Sequence, residues 1–151
     1  MAPDQQSALE GLVSRPLTVD EISAIDPLLP DRNDVAIATI LSTGRVKTQP
    51  TPIGIGTVLA IMAPSGGDFL NAIESKGATD ANVKWALKMI EQQTFDVGHQ
   101  VTRAQLEAFA ADTPAMATAI DALMAVAEVA DPIHYNAVSA ALNVAEGRVT
   151  L

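Results

Sequence analysis

His99 in "DVGHQVT" and His134 in "DPIHYNA" are the only two imidazoles of the chain. Imidazole is the side chain best suited to proton transfer and metal ligation near neutral pH. With Asp96 the pair offers three ligands for a divalent ion, but the spacing is unlike the two histidines one turn apart of a zinc helix. Both stand in turns that lead into helices, where a ring nitrogen meets an orphan helix-end N–H. That structural reading is preferred. Ser65 in "APSGGD" looks like part of a nucleophile elbow, yet no G-x-S-x-G occurs, and Ser65 is assigned to the turn or cap ahead of Phe69. The absence of cysteine excludes disulfides, thiolate metal sites and a cysteine nucleophile.

The acidic side chains are numerous but positioned for structure. Asp20, Glu21, Asp31 and Asp80 fall in or just before first turns of helices, where a negative charge complements the helix dipole. Asp26 and Asp131 each precede a proline, a turn combination. Trp85, the single tryptophan, is expected to anchor the core rather than to form a binding platform, because large aromatics dominate burial energy. No residue is assigned a catalytic, cofactor-binding or metal-binding role, and the chain is expected to catalyse no reaction.

"TPIGIGTVLAIMAPSGG", residues 51–67, admits three readings. A dinucleotide loop needs a third glycine where Leu59 stands, and "TQPTP" before it is no parallel strand. A membrane segment is the second, since Thr48 to Gly67 are twenty uncharged residues. Its strongly apolar part, however, runs only from Ile53 to Ala63, short of a span, and it lacks the basic residues of an interfacial helix. The third reading is adopted: a central helix hydrophobic all round and hidden in the bundle. Gly54 and Gly56 then allow close helix approach or mark the entry turn, with Thr57 as cap, and Ile55 and Leu59 are buried.

The elements that must position these residues are helices. "LTVDEI" places Thr18 at the N-cap and Glu21 at N3, with Leu17 and Ile22 as a hydrophobic staple. "VTRAQL" repeats the pattern with Thr102, Gln105, Val101 and Leu106. Thr113 and Pro114 open another helix. "DVAIATILSTG" ends at Gly44 and "GDFLNAIESKG" at Gly77, both glycine stops. "TDANVKWALKMIEQQ" sets Val83, Ala86, Leu87 and Ile90 on one face, and "DPIHYNAVSAALNVAEG" aligns Val138, Ala141 and Leu142. The pattern predicts an all-α fold: one helical domain over 1–151, a bundle of seven or eight short helices around the central apolar one. A minor two-strand β ribbon or an extended C-terminal segment over 144–151 completes it.

Composition agrees. The chain has 151 residues, 48% hydrophobic but only 3% aromatic, so its core is aliphatic and alanine-rich. Net charge is −9, concentrated at the ends: residues 1–31 and 104–151 carry −5 each, and residues 32–103 carry +1. Acidic ends argue against nucleic acid as a partner, and Lys84, Lys88 and Arg103 are read as a solvated face rather than a phosphate-binding patch. "MAPDQQSALEG" has neither the basic start nor the apolar run of a signal peptide, so synthesis in a cytoplasm is expected. "GRVKT" at 44–48 and "GRVTL" at 147–151 are near copies outside the helices. Arg45, Val46, Lys47, Arg148, Val149 and Leu151 are the candidate partner contacts, as strands that pair with each other or add to a partner's sheet.

"LTVDEISAI", "NVKWALKMIEQQTFDVGHQVTRAQLEAFAA" and "AIDALMAVAEVADPIHYNAVSAAL", about two-thirds of the chain, carry a likeness. In them a mid-chain helix leads through an aspartate turn to a capped helix and then an alanine-rich one. In this order the chain resembles a group of small, alanine-rich helical proteins encoded among the tail and virion genes of tailed phages and prophages. That group's usual short Asp-Ala-Gln-Ala-Ala opening helix has no clear counterpart here. The resemblance implies a virion component of the tail, neck or fibre-attachment region, made in the host cytoplasm and assembled in many copies. Its partners would be other virion proteins, with no cofactor, nucleic acid or membrane. A tail assembly chaperone, or a small soluble enzyme or metal-binding protein, is the alternative.

Overall fold

The computed structural model describes residues 1–148. In chain order these form α1 (Pro3–Val13), α2 (Val19–Ile25), α3 (Asp34–Ser42), β1 (Val46–Thr48), β2 (Pro52–Ile53), α4 (Ile55–Ile61) and α5 (Gly66–Gly77). Next come α6 (Ala81–Glu91), β3 (Phe95–Asp96), α7 (Gln100–Asp112), α8 (Ala117–Ala125), β4 (Glu128–Ala130) and α9 (Tyr135–Ala145). The described residues thus hold nine α-helices, where seven or eight are expected from the sequence, and two short antiparallel strand pairs, β1–β4 and β2–β3. The fold is helical, as the apolar spacing and caps require.

Contacts divide the chain into two compact units, one of residues 1–46 and 130–151, the other of residues 47–129. The first holds α1, α2, α3 and α9 around Leu9, Val13, Leu17, Ile25, Leu29, Ile37, Leu41, Val138 and Leu142, all buried. The cap of α2 follows the sequence signal. Thr18 Oγ1 accepts from Glu21 N at 3.2 Å while a Glu21 carboxylate oxygen accepts from Thr18 N at 2.8 Å, and Leu17 and Ile22 join the same apolar cluster. Asn33 caps α3, and Gly44, at φ +70°, takes the left-handed turn beyond its end. Helix α9 runs through Ala145, so the extended segment expected from residue 144 begins two residues inside a helix. Val144 and Ala145 are helical because they continue the run that buries Val138 and Leu142.

The second unit packs α4 to α8 around Ile53, Val58, Met62, Phe69, Ile73, Ile90, Phe95, Val97, Leu106, Phe109, Ile120, Leu123 and Met124. β2 and β3 pair antiparallel, Pro52 opposite Asp96 and Ile53 opposite Phe95. One Asp96 carboxylate oxygen accepts from Thr51 N at 2.7 Å and Gly98 N at 2.8 Å, closing the turn. Helices α4 and α5 meet closely at Gly66, where a Cβ would lie 2.9 Å from Leu59 Cα and from Val58 O. Gly54 is also closely approached, since a Cβ there would lie 2.6 Å from Gln93 Cγ. Gly54 is the N-cap of α4 and Gly56 faces open space.

Three sequence expectations are corrected here. Helix α4 is not hidden on all sides: Val58 and Met62 are buried, but Ile55, Leu59 and Ile61 are 40%, 47% and 41% exposed. Seven residues at the edge of a unit have only one stripe to bury, whatever their hydrophobicity. Trp85 is not a core anchor. It is 62% exposed, because the face of α6 that enters the core is the one bearing Val83, Ala86, Leu87 and Ile90, and Trp85 projects from the other side. Thr102 does not cap α7, which begins earlier, at Gln100, with His99 as its N-cap. Val101 is accordingly exposed and staples nothing. The "GRVKT" segment does form a strand, β1, and it pairs with β4. Residues 149–151 lie outside the described residues.

Candidate functional site

The two histidines stand in the same local role. His99 Nδ1 accepts from Val101 N at 3.3 Å, and His134 Nδ1 accepts from Asn136 N at 3.2 Å. Each therefore satisfies an orphan N–H of the helix it opens, with the Nδ1 lone pair directed at the backbone. His134 also packs on Tyr135, ring centroids 4.5 Å apart. Among the described residues no group of three His, Asp or Glu side chains is arranged to hold a metal ion. Asp96, drawn with the histidines in the sequence, directs a carboxylate oxygen at two backbone amides. Those bonds, the one from Thr51 N foremost, hold its carboxyl below the usual aspartate range. Ser65 stands at the N-cap position of α5 without a side-chain bond to the helix.

Other charges are engaged in the same way. Asp80 caps α6, accepting from Asn82 N at 2.9 Å and Val83 N at 3.3 Å. Arg15 grips Glu21 through both guanidinium nitrogens at 2.6 and 2.8 Å and draws its carboxyl down to about 2. Arg103 donates to Met124 O at 2.9 Å and Glu128 at 2.6 Å, so its charge is matched within the fold rather than offered beside Lys84 and Lys88.

Of the candidate contact residues, Arg45 is half-buried, its guanidinium bonded to the Asp131 carboxylate at 2.9 Å and to the Asp131 carbonyl at 3.2 Å. Val46 and Lys47 are exposed on β1. Arg148 donates its backbone N–H to Asn143 O and pairs with Glu146 at 3.2 Å, just beyond α9. Val149 and Leu151 are not among the described residues.

Two surfaces of the second unit were not foreseen as sites. One is α4, where Ile55, Gly56, Leu59, Ala60 and Ile61 are all exposed and no residue is charged. The other is a cleft of about 200 Å³ between α5, α6 and α7. All three phenylalanines of the chain line it: Phe69, Phe95 and Phe109. Phe69 and Phe109 meet edge to face, centroids 5.5 Å apart. Lys76 Nζ stands 5.5 Å from the Phe109 centroid and bonds to Asp112 at 3.0 Å, and Asp80, Asn82 and Gln105 complete the polar rim. The signal for the α4 patch was its lack of any charge. The cleft had none, since the phenylalanines are far apart in sequence.

The chain matches no known protein-family model, no curated protein and no solved structure. No helix of the described residues is long and apolar enough to cross a membrane.

Proposed function

We propose that this chain is a structural or adaptor protein that acts through protein–protein contacts and performs no reaction. The resemblance noted in its sequence sets that role in a phage particle, at the tail, neck or fibre-attachment region, with other virion proteins as partners. The observation that carries the reading is the outer face of α4. Ile55, Leu59 and Ile61 remain substantially exposed on a helix with no charged residue, in a chain whose net charge is −9. Large apolar side chains grouped on a surface mark sites of association, and the exposed β1 residues Val46 and Lys47 add a second contact element. Acidic charge elsewhere keeps the free subunit soluble until such a contact forms.

The test is recovery of the native complex from its source by sizing and mass spectrometry, with Leu59→Asp in parallel. The adaptor reading expects the wild type in a large particle at a fixed ratio to shell or tail proteins. It expects the folded L59D variant to be lost from that particle. Recovery only as a free species near 15.7 kDa would sink the virion assignment. Recovery with tail proteins before, but not in, the finished particle would replace it with an assembly chaperone.

A further inference from the structure

The cleft between α5, α6 and α7 combines an aromatic floor with a rim whose charges are already spent. Phe69, Ile73, Phe95, Leu106 and Phe109 form the floor, none of them more than 9% exposed. The mouth opens past half-buried Val83 and Ala86 and exposed Ala108. Only two lining residues, Lys76 and Asp80, are charged. Lys76 bonds to Asp112 at 3.0 Å and stands over the Phe109 ring. Asp80 accepts from the backbone N–H groups of Asn82 and Val83 at the start of α6. By contrast, the side-chain amides of Asn82 and Gln105 bond to no other group among the described residues. We propose that this cleft binds a small uncharged phenol, the ring among the three phenylalanines and the hydroxyl on the amides of Asn82 and Gln105.

Each part of that chemistry has its own warrant. The ring follows from the lining, since all three phenylalanines of the chain meet here and aromatic pairs gain more than their buried area alone provides. The ligand's size follows from the space. A volume of about 200 Å³ exceeds the ~150 Å³ apolar cavity that takes benzene, leaving room for one ring and a small substituent. Its lack of charge follows from the rim. An ionic ligand would have to break the Lys76–Asp112 pair or the Asp80 cap, or lie unpaired against an apolar floor, where an unmatched charge is costly. A hydroxyl needs only what Asn82 and Gln105 offer, an acceptor and a donor. So few atoms give weak binding, with dissociation on the order of 0.1–1 mM. This inference stands apart from the adaptor reading, which rests on α4.

Purified full-length protein is titrated with phenol and, separately, with benzoate and benzylamine, followed by NMR and thermal melting. Phenol should move the signals of Val83, Ala86 and Leu106 saturably and raise the melting temperature. Both ions should bind at least about tenfold more weakly. Ala86→Leu fills the cleft from α6 and should abolish phenol binding, and Ala108→Phe, at the exposed mouth, does the same should the first variant fail to fold. Asn82→Ala with Gln105→Ala should weaken phenol several-fold, whereas Trp85→Ala, on the opposite side of α6, should leave it unchanged. Circular dichroism checks that each variant is folded. No saturable shift with phenol, equal binding of the ions, or undiminished binding in a folded filled variant overturns the inference. So does capture of a capped tyrosine peptide without phenol, which would transfer the cleft to a protein partner.

Discussion

Glu21 shows how one side chain can hold together a local structure and give it a pH dependence. It accepts from Thr18 N, caps α2 reciprocally with Thr18, and takes both nitrogens of the Arg15 fork. Arg15 is the main cause of its descent from 4.5 to about 2. A depressed carboxyl contributes stability that is fully present above its unfolded value and is lost as pH falls through the folded value. Glu21→Gln keeps an oxygen for the cap but loses the charge. It should therefore be less stable than wild type above pH 4.5, with the gap closing as pH falls toward 2. Urea titrations of both proteins across that range would show the convergence, and a constant gap would assign the difference to packing. Residues 58 and 59 make a second contrast. Val58→Asp puts an unpaired charge in the core, a cost of several kcal/mol against roughly 5–15 for the whole fold, and should unfold the second unit. Leu59→Asp, on the exposed face, should cost no more than about 1 kcal/mol. Denaturation curves that rank the two in the opposite order would reverse the assigned orientation of α4.

At the scale of elements, the short helices are placed by their ends as much as by their faces. Histidine, threonine, asparagine and aspartate each supply a cap acceptor, at α7 and α9, α2, α3 and α6 respectively. Where two helices meet, a missing side chain decides the distance. Gly66→Ala would drive a methyl against Leu59 Cα and Val58 O, and should destabilise by about 1–3 kcal/mol. Gly67→Ala, next to it in α5 but facing open space, should stabilise by up to ~1 kcal/mol through helix propensity. Opposite signs in paired melting curves would confirm the α4–α5 approach, whereas equal shifts would place the contact elsewhere. Gly98 belongs to the same class, since a Cβ there would fall 1.9 Å from Gln49 O.

For the molecule as a whole, charge is the property that no single contact expresses. The acidic excess lies in residues 1–31 and 104–151, and several of its members already have cationic partners in Arg15, Arg32, Arg45, Arg103 and Lys76. The rest repel one another, and salt screens repulsion between exposed charges more than it weakens partly buried pairs. The melting temperature is thus expected to rise with sodium chloride. A fall would mean that the ion pairs outweigh the net repulsion.

Much of this architecture was legible in residue order. Helical periodicity, the glycine stop at Gly44 and the Thr18–Glu21 box depend on near neighbours, and near neighbours are what a sequence lists, whereas Gly77 lies inside α5 and is not left-handed. That the histidines bond helix ends was readable for the same reason, but the cap of α7 was read as Thr102 and is His99. Trp85 was partly legible: the inner face of α6 was read correctly and excluded it, yet hydrophobicity alone sent it to the core. The exposure of α4 and the assembly of Phe69, Phe95 and Phe109 into one cleft were not legible. An apolar helix is buried only as far as other elements cover it, and three distant phenylalanines meet only once α5, α6 and α7 have packed. Local order determined most of the helices, though not α1 (Pro3–Val13) or the end of α8, after which residues 128–130 form β4. The tertiary structure alone decided which apolar side chains were left outside the core, because burial depends on what packs against a residue and not on the residue itself.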